Sequence, residues 1–188
     1  MSFFSEFIKH PGLVGAVFPS SRWLSRKIVS QIDFEDCECI VEYGAGTGVF
    51  SRDLLLKKKA ETKLILIEKH PDFYEQLQKY FENEESVFVI NGGAECIAEY
   101  LDELNIYNVN YIVSGLPFTA FPEELRKQIF HETQKTMNED SKFILFQYST
   151  FVKKQLEEYF ELSEKLFVLP NFPPAIVFVC EIKQLIQQ

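Results

Sequence analysis

Ile40-Val41-Glu42-Tyr43-Gly44-Ala45-Gly46-Thr47-Gly48-Val49-Phe50 sets a strand-forming run directly against a glycine-rich turn. The run from Cys39 to Tyr43 is dominated by β-branched and aromatic side chains, and the glycines after it allow positive φ and close approach of a ligand to bare backbone. Their spacing, G-x-G-x-G, is tighter than the G-x-G-x-x-G of dinucleotide binders, whose glycines shape a pyrophosphate site at a helix N-terminus. No Gly-Lys-Ser/Thr follows, which excludes a P-loop. Glu42, two residues ahead of Gly44, puts negative charge where a phosphate binder would avoid it. The stretch therefore predicts a strand-to-helix turn that holds a ligand without phosphates.

Outward from this turn the chain alternates. Strand-like runs at Lys63 to Glu68, Ser86 to Asn91, Asn110 to Ser114 and Lys142 to Tyr148 are separated by segments with apolar residues at helical spacing. Ile97, Tyr100, Leu101 and Leu104 form one such set; Phe73, Leu77, Tyr80 and Phe81 a second; Val152, Leu156, Tyr159 and Phe160 a third. A further helix is expected from Glu123 to about Met137, after Pro122. Strands this uniformly apolar suit a parallel sheet covered on both faces, and the helical segments supply the crossovers. Lys165 to Leu169 and Ala175 to Lys183 break the rhythm. Only Pro170-Asn171-Phe172-Pro173-Pro174 joins them, so this last pair must be antiparallel. Glu68 closes the second strand, where a carboxylate can accept from both hydroxyls of a ribose, and ligands of such sheets bind beyond the carboxyl ends at the switch point. The plainer alternative for these residues is a tight turn and a surface acid.

The 188 residues, 46% hydrophobic and 25% charged, fit one soluble globular domain. A chain of this length buries about 70% of its unfolded surface and needs neither disulfide nor metal. Cys37, Cys39, Cys96 and Cys180 are too scattered for a disulfide framework, and no second Cys/His pair completes a metal site around Cys37 and Cys39. With no apolar run of membrane-spanning length and no secretory signal, a cytoplasmic protein is expected. The net charge is −9, yet residues 1–30 carry +3 and the remainder −12. An acidic body repels polyanions; the Phe-rich basic N-terminus could approach an anionic surface or simply cover a site.

The glycine loop preceded by Glu42, with an acid ending strand two, resembles the S-adenosylmethionine loop of class I methyltransferases. That resemblance implies a Rossmann-like doubly wound α/β sheet of seven strands, the last antiparallel, here preceded by an N-terminal helical segment. Further segments are similar to soluble bacterial phospholipid N-methyltransferases: His10-Pro11-Gly12-Leu13-Val14-Gly15-Ala16-Val17-Phe18-Pro19-Ser20-Ser21, Ser114-Gly115-Leu116-Pro117-Phe118, Phe146-Gln147-Tyr148-Ser149 and Asn171-Phe172-Pro173-Pro174-Ala175. The resemblance spans nearly all of residues 1–188, with 1–30 as a lid or membrane-facing segment and 37–188 as the core. It implies S-adenosylmethionine as cofactor and S-adenosylhomocysteine as product. Gly44, Ala45, Gly46, Thr47 and Gly48 would wrap the methionine part, Glu42 would stand near its ammonium group, Glu68 would hold the ribose, and Lys69 and Ser114 would be further cofactor-binding residues. Related enzymes often carry Gly-Asp-Ala after strand three, the Asp binding the adenine amino group. Here Gly93 stands at the Asp position before Ala94, so either Glu95 compensates or backbone and shape hold the base. Ser20 and Ser21 would close over the cofactor; Ser21 reads equally as a helix cap before Trp23.

The segment after strand four bears on the substrate. Ribosomal RNA adenine dimethylases, which this chain also resembles, carry Asn-Leu-Pro-Tyr there, and this chain has Gly115-Leu116-Pro117-Phe118. The Asn acceptor for a flat exocyclic amine is missing, while the backbone carbonyls of Ser114 and Gly115 remain. Phe118 and Tyr148 could face an amine as it becomes cationic, at about 0.5–2 kcal/mol each, or could be core aromatics. Tyr148, Glu95 and His10 are the candidates for removing the amine proton. The expectation is methyl transfer to a phospholipid head-group amine such as phosphatidylethanolamine. Methylation of adenine N6 in ribosomal RNA, methylation of a small amine, and cofactor binding without turnover are the alternatives.

Overall fold

The computed structural model describes residues 19–169 and 173–183. Helix α1 (Pro19–Val29) leads into β1 (Cys39–Tyr43), after which strands and helices alternate: α2 (Val49–Lys57), β2 (Lys63–Glu68), α3 (Pro71–Tyr80), β3 (Val87–Asn91), α4 (Ile97–Glu103), β4 (Tyr111–Ser114), α5 (Glu123–Thr136), β5 (Lys142–Gln147) and α6 (Lys153–Tyr159). Strands β6 (Phe160–Val168) and β7 (Ala175–Ile182) close the chain. One sheet contains all seven strands in the order β3-β2-β1-β4-β5-β7-β6. The first five pair in parallel, and β7 runs antiparallel to both β5 and β6.

Alternate side chains of a strand point to opposite faces, so a sheet covered on both sides needs apolar residues at successive positions. β1 obeys this throughout, with no exposed residue. Val41 and Tyr43 enter one core with Ile65, Ile67, Phe130, Phe143, Phe160 and Phe178; Ile40 enters the other with Leu64, Leu66, Val113, Ile144 and Val177. Helices α4, α5 and α6 cover the first face, α1, α2 and α3 the second. The enclosed Tyr43 hydroxyl is paired with Thr133 Oγ1 at 3.1 Å, as a buried polar group must be.

The expected elements form, with two corrections. β6 begins at Phe160, five residues before the expected Lys165, because β7 offers eight residues for pairing and the hairpin recruits a partner of matching length. As an edge strand, β6 exposes Glu161, Glu164 and Lys165, charges that discourage further strand addition. Helix α1 begins at Pro19, so Ser21 lies inside its first turn instead of capping it, and Pro19 takes the position where a missing N–H costs nothing. The segment before Pro19, with His10 and most of the basic apolar stretch, lies outside the described residues, as does Asn171-Phe172.

β1 pairs with β2 on one side and β4 on the other, and the chain winds outward from this junction in both directions. The crevice beyond the carboxyl ends of β1 and β4 is thus the switch point where such sheets bind ligands.

Candidate functional site

β1 ends at Tyr43 and delivers the glycine loop to that crevice. Gly44, Gly46 and Gly48 adopt φ of 68°, 55° and 75°, a left-handed conformation that side chains disfavour. The Gly44 N–H donates to the Ile67 carbonyl at 2.8 Å, anchoring the loop to β2. A Cβ on Gly46 would meet only the Gly44 carbonyl oxygen, at 3.9 Å, and would otherwise project into open space. The loop therefore leaves a strip of bare backbone that a side chain would fill.

Glu68 grips the same strip. Its Oε2 accepts the Gly46 N–H at 2.8 Å and its Oε1 accepts the His70 N–H at 2.7 Å. Each carboxylate oxygen keeps a second lone pair. Glu68 can thus fix the loop and still accept from ligand hydroxyls. Glu42 behaves differently: it is 1% exposed and accepts from Ser51 Oγ at 2.6 Å. Burial pushes its carboxyl up to about 8, the nearby Glu68 charge adding to the rise and the Ser51 bond and Arg52 opposing it. Burial thus disfavours the charged form, which a cation placed beside it would favour. Two carboxyl groups border this bare backbone, and the nearby Arg52 guanidinium is tied to the Thr47 carbonyl at 2.9 Å; the residues present therefore suit a positively charged ligand such as a nucleoside sulfonium.

One strand farther out, the ends of β2 and β3 are tied by Gly92 N–H and Asn91 Nδ2, both donating to the Glu68 carbonyl, at 3.2 and 3.0 Å. A Cβ on Gly93 would collide with the Glu95 carboxylate, and one on Gly92 with the Tyr100 hydroxyl. The Glu95 carboxylate therefore occupies the place where a side chain at position 93 would stand, held there by Lys69 Nζ at 3.2 Å. Ala94 is buried beneath it at the start of a short 3₁₀ turn, Ala94–Cys96.

Across the switch point, the loop after β4 presses on the glycine loop. A Cβ on Gly44 would come within 2.7 Å of Leu116 Cδ2, and one on Gly115 within 3.1 Å of the Gly44 carbonyl oxygen. Ser114, fully enclosed, accepts the Leu116 N–H on its Oγ at 3.2 Å. Of the two aromatic candidates, Tyr148 is 42% exposed beyond β5, whereas Phe118 is 0% exposed and packs against Phe121 and Phe130. Phe118 is therefore a core aromatic, the second of the two expected roles. Glu95 lies in the 3₁₀ turn that follows β3, and β3 is three strands from β4 in the sheet. The structure brings together Glu42, the 44–48 loop, Glu68, Lys69, Gly93, Ala94, Glu95 and the 114–118 loop along one carboxyl edge; the side chains of Ser20 and Ser21 lie outside the described residues.

Two contributors escape the sequence reading. Ser51 holds Glu42 from the first turn of α2, and nothing in its local sequence marks it. Gln147 donates from Nε2 to the Leu116 carbonyl at 3.0 Å. A polar residue closing the apolar run Phe143-Ile144-Leu145-Phe146, at a carboxyl end, was the available signal. Two surface hollows lie at the opposite, amino ends of the strands. One is lined by Glu35, Asp36, Cys37 and Lys59, the other by Lys58 and Glu84. Burial raises the thiols there, Cys37 to about 11 and Cys39 to about 12, which leaves them unreactive. Among the described residues no group of three or more His, Cys, Asp or Glu side chains could hold a metal ion, and no helix is long and apolar enough to cross a membrane.

The family model described as ribosomal RNA adenine dimethylase matches residues 14–173. The chain is 29% identical over 179 residues to an ornithine lipid N-methyltransferase of Singulisphaera acidiphila, covering 95% of this chain and 93% of that one. It is 27% identical over 118 residues to the ribosomal RNA small subunit methyltransferase A of a Hydrogenobaculum species, covering 63% of this chain and 43% of that protein. Among solved structures, a SAM-dependent methyltransferase from Aquifex aeolicus superposes with a TM-score of 0.72 at 11% identity, over 95% of this chain and 98% of the other.

Proposed function

The chain belongs to the ribosomal RNA adenine dimethylase family of S-adenosylmethionine-dependent methyltransferases, and on that premise we propose that it methylates the primary amine of a membrane-lipid head group. The observation that carries this choice is the extent of the likeness to the ornithine lipid enzyme, which runs through nearly the whole of both chains. The likeness to the ribosomal RNA enzyme covers less than half of that protein. The net charge of −9 is also adverse to a phosphate-rich substrate.

When bound, the cofactor supplies a methyl group already activated on a sulfonium. The remaining tasks fall to the protein: alignment, exclusion of water and acceptance of charge. Gly44, Ala45, Gly46, Thr47 and Gly48 would line the methionine part, with Glu42 opposite its ammonium group. Glu68 would take the ribose hydroxyls with its remaining lone pairs, and Lys69, Gly93, Ala94 and Glu95 would surround the base. The Glu95 carboxylate, standing where Gly93 has no side chain, would accept from the adenine amino group. Ser20 and Ser21 of α1 would close over the cofactor. Ser114, Gly115, Leu116 and Pro117 would receive the amine, and the exposed Tyr148 would offer an aromatic face or take up its proton. Peripheral contact with an anionic membrane would fall to residues 1–30, of which Trp23 is exposed with the Arg26 guanidinium 5.8 Å from its ring centre.

Methylation of adenine N6 in ribosomal RNA is the second reading, favoured by the family match and by Leu116-Pro117 followed by an aromatic residue. Labelled methyl transfer from S-adenosylmethionine separates the two. Vesicles containing phosphatidylethanolamine or ornithine lipid and purified small-subunit ribosomal RNA are offered in parallel. Label extracted with the lipid supports the first reading; label confined to RNA overturns it.

A further inference from the structure

Gln147 is the last residue of β5 and only 4% exposed. Burying an amide is costly unless it is bonded, so the bond it makes explains its place. That bond runs from Nε2 to the Leu116 carbonyl at 3.0 Å. The same carbonyl accepts the Phe118 N–H, also at 3.0 Å. On the other side, the Gly115 N–H donates to the Tyr43 carbonyl at 2.9 Å and the Leu116 N–H to Ser114 Oγ at 3.2 Å. The N–H groups of Gly115, Leu116 and Phe118 are therefore all engaged, and Pro117 has none. Among the described residues the Gly115 carbonyl accepts no hydrogen bond. It belongs to the loop that meets the glycine loop at Gly44.

We propose that Gln147 is a positioning residue for methyl transfer: by holding the Leu116 carbonyl it fixes the 114–118 loop so that the Gly115 carbonyl is the backbone acceptor offered to the substrate amine. The proposal rests on the methyltransferase reading above. As the amine nitrogen forms its bond to the methyl carbon, the carbon–sulfur bond breaks, its electron pair goes to sulfur, and the nitrogen becomes cationic while keeping its hydrogens. A carbonyl accepting one of those N–H groups stabilises the transition state more than the neutral amine. The proton then leaves to Tyr148 or to solvent. Holding that carbonyl in place is a task a side chain can perform without touching substrate.

Two variants test it. Gln147→Leu removes the donor, and kcat for lipid methylation should fall about 10- to 100-fold while S-adenosylhomocysteine affinity, measured by calorimetry, stays within about twofold. Hydrogen exchange of the 114–118 peptide should quicken, with that of the glycine loop unchanged. Gln147→Glu places a carboxyl against the Leu116 carbonyl, and a carboxyl donates only when protonated. Ser114 at the end of β4, Leu116 in the loop after it and Ile176, its register partner on β7, do not titrate, and Tyr148 is the adjacent titratable side chain. This variant should therefore be active on the acid side and lose activity with rising pH, a limb absent from the unsubstituted protein. The proposal is overturned if Gln147→Leu keeps full kcat, if its cofactor affinity falls in step with kcat, if exchange of 114–118 is unaltered, or if Gln147→Glu follows the unsubstituted pH profile. Failure of the unsubstituted protein to methylate any lipid amine counts against the substrate reading; the exchange measurement then decides on Gln147 by itself.

Discussion

The two acids that flank the glycine loop differ in what surrounds them, and this difference has a measurable consequence. Glu42 ionises near 4.5 when unfolded and near 8 when folded, chiefly through burial. Between those values the folded state keeps a proton that the unfolded state has released, so stability is greatest below the lower value and declines toward the upper one. Glu42→Gln keeps the Ser51 bond and removes the decline. Its Tm should match that of the unsubstituted protein near pH 4.5 and exceed it near pH 8, read by thermal melts across the window. A ligand ammonium beside Glu42 would favour its charged form, so cofactor affinity should rise with pH in the unsubstituted protein and stay flat in Glu42→Gln. Glu95 makes a separate prediction. Glu95→Gln should weaken S-adenosylhomocysteine several-fold, about the worth of one charge-assisted hydrogen bond, and leave the analogue with inosine in place of adenosine unaffected; equal losses for both would refute the assignment. Glu42 is legible as a candidate because it stands two residues before Gly44, and Glu68 because it closes the second strand-like run. The direction in which Glu68 turns its oxygens is not, because the Gly46 and His70 N–H groups become its partners only once β1 and β2 are side by side. Phe118 could be read either way from sequence, and its burial follows from α5, which packs Phe130 against it.

At the level of elements, the glycine loop is where conformation and function separate most cleanly. Gly44→Ala places a methyl against Leu116 at positive φ, combining backbone strain of about 1 kcal/mol with a steric clash. Gly46→Ala incurs similar strain but meets open space. Chemical denaturation should therefore find Gly44→Ala the less stable of the two, while calorimetry finds that Gly46→Ala, although folded, loses most of its cofactor affinity. The opposite order would mean that the strip of bare backbone is not the binding surface. Strands β1 to β5 are readable because each is nearly continuous apolar sequence, as parallel strands with two buried faces demand. The start of β6 is not readable: Glu161-Leu162-Ser163-Glu164 carries no strand pattern of its own and is extended because β7 lies beside it. The first turn of α1 is hidden for a similar reason, since Ser21 reads as a cap by residue type and only backbone geometry places the start at Pro19.

For the molecule as a whole, the strand order β3-β2-β1-β4 sets the candidate residues in a line, which on the proposed reading would run from base through ribose and methionine to amine. Sequence spacing picks out the candidate residues, and the sheet alone supplies the order in which their strands lie side by side. The acidic body fits the same picture, because an amine-bearing lipid presented at a membrane asks for no phosphate channel across the sheet. Titration calorimetry with S-adenosylhomocysteine tests the central claim directly, on the unsubstituted protein and on Glu68→Gln, with circular dichroism to confirm that both are folded. The expected result is saturable one-site binding, weakened at least about tenfold in the variant, the worth of a hydrogen bond to a charged acceptor. No saturable binding, or equal affinity in the two proteins, would contradict the account.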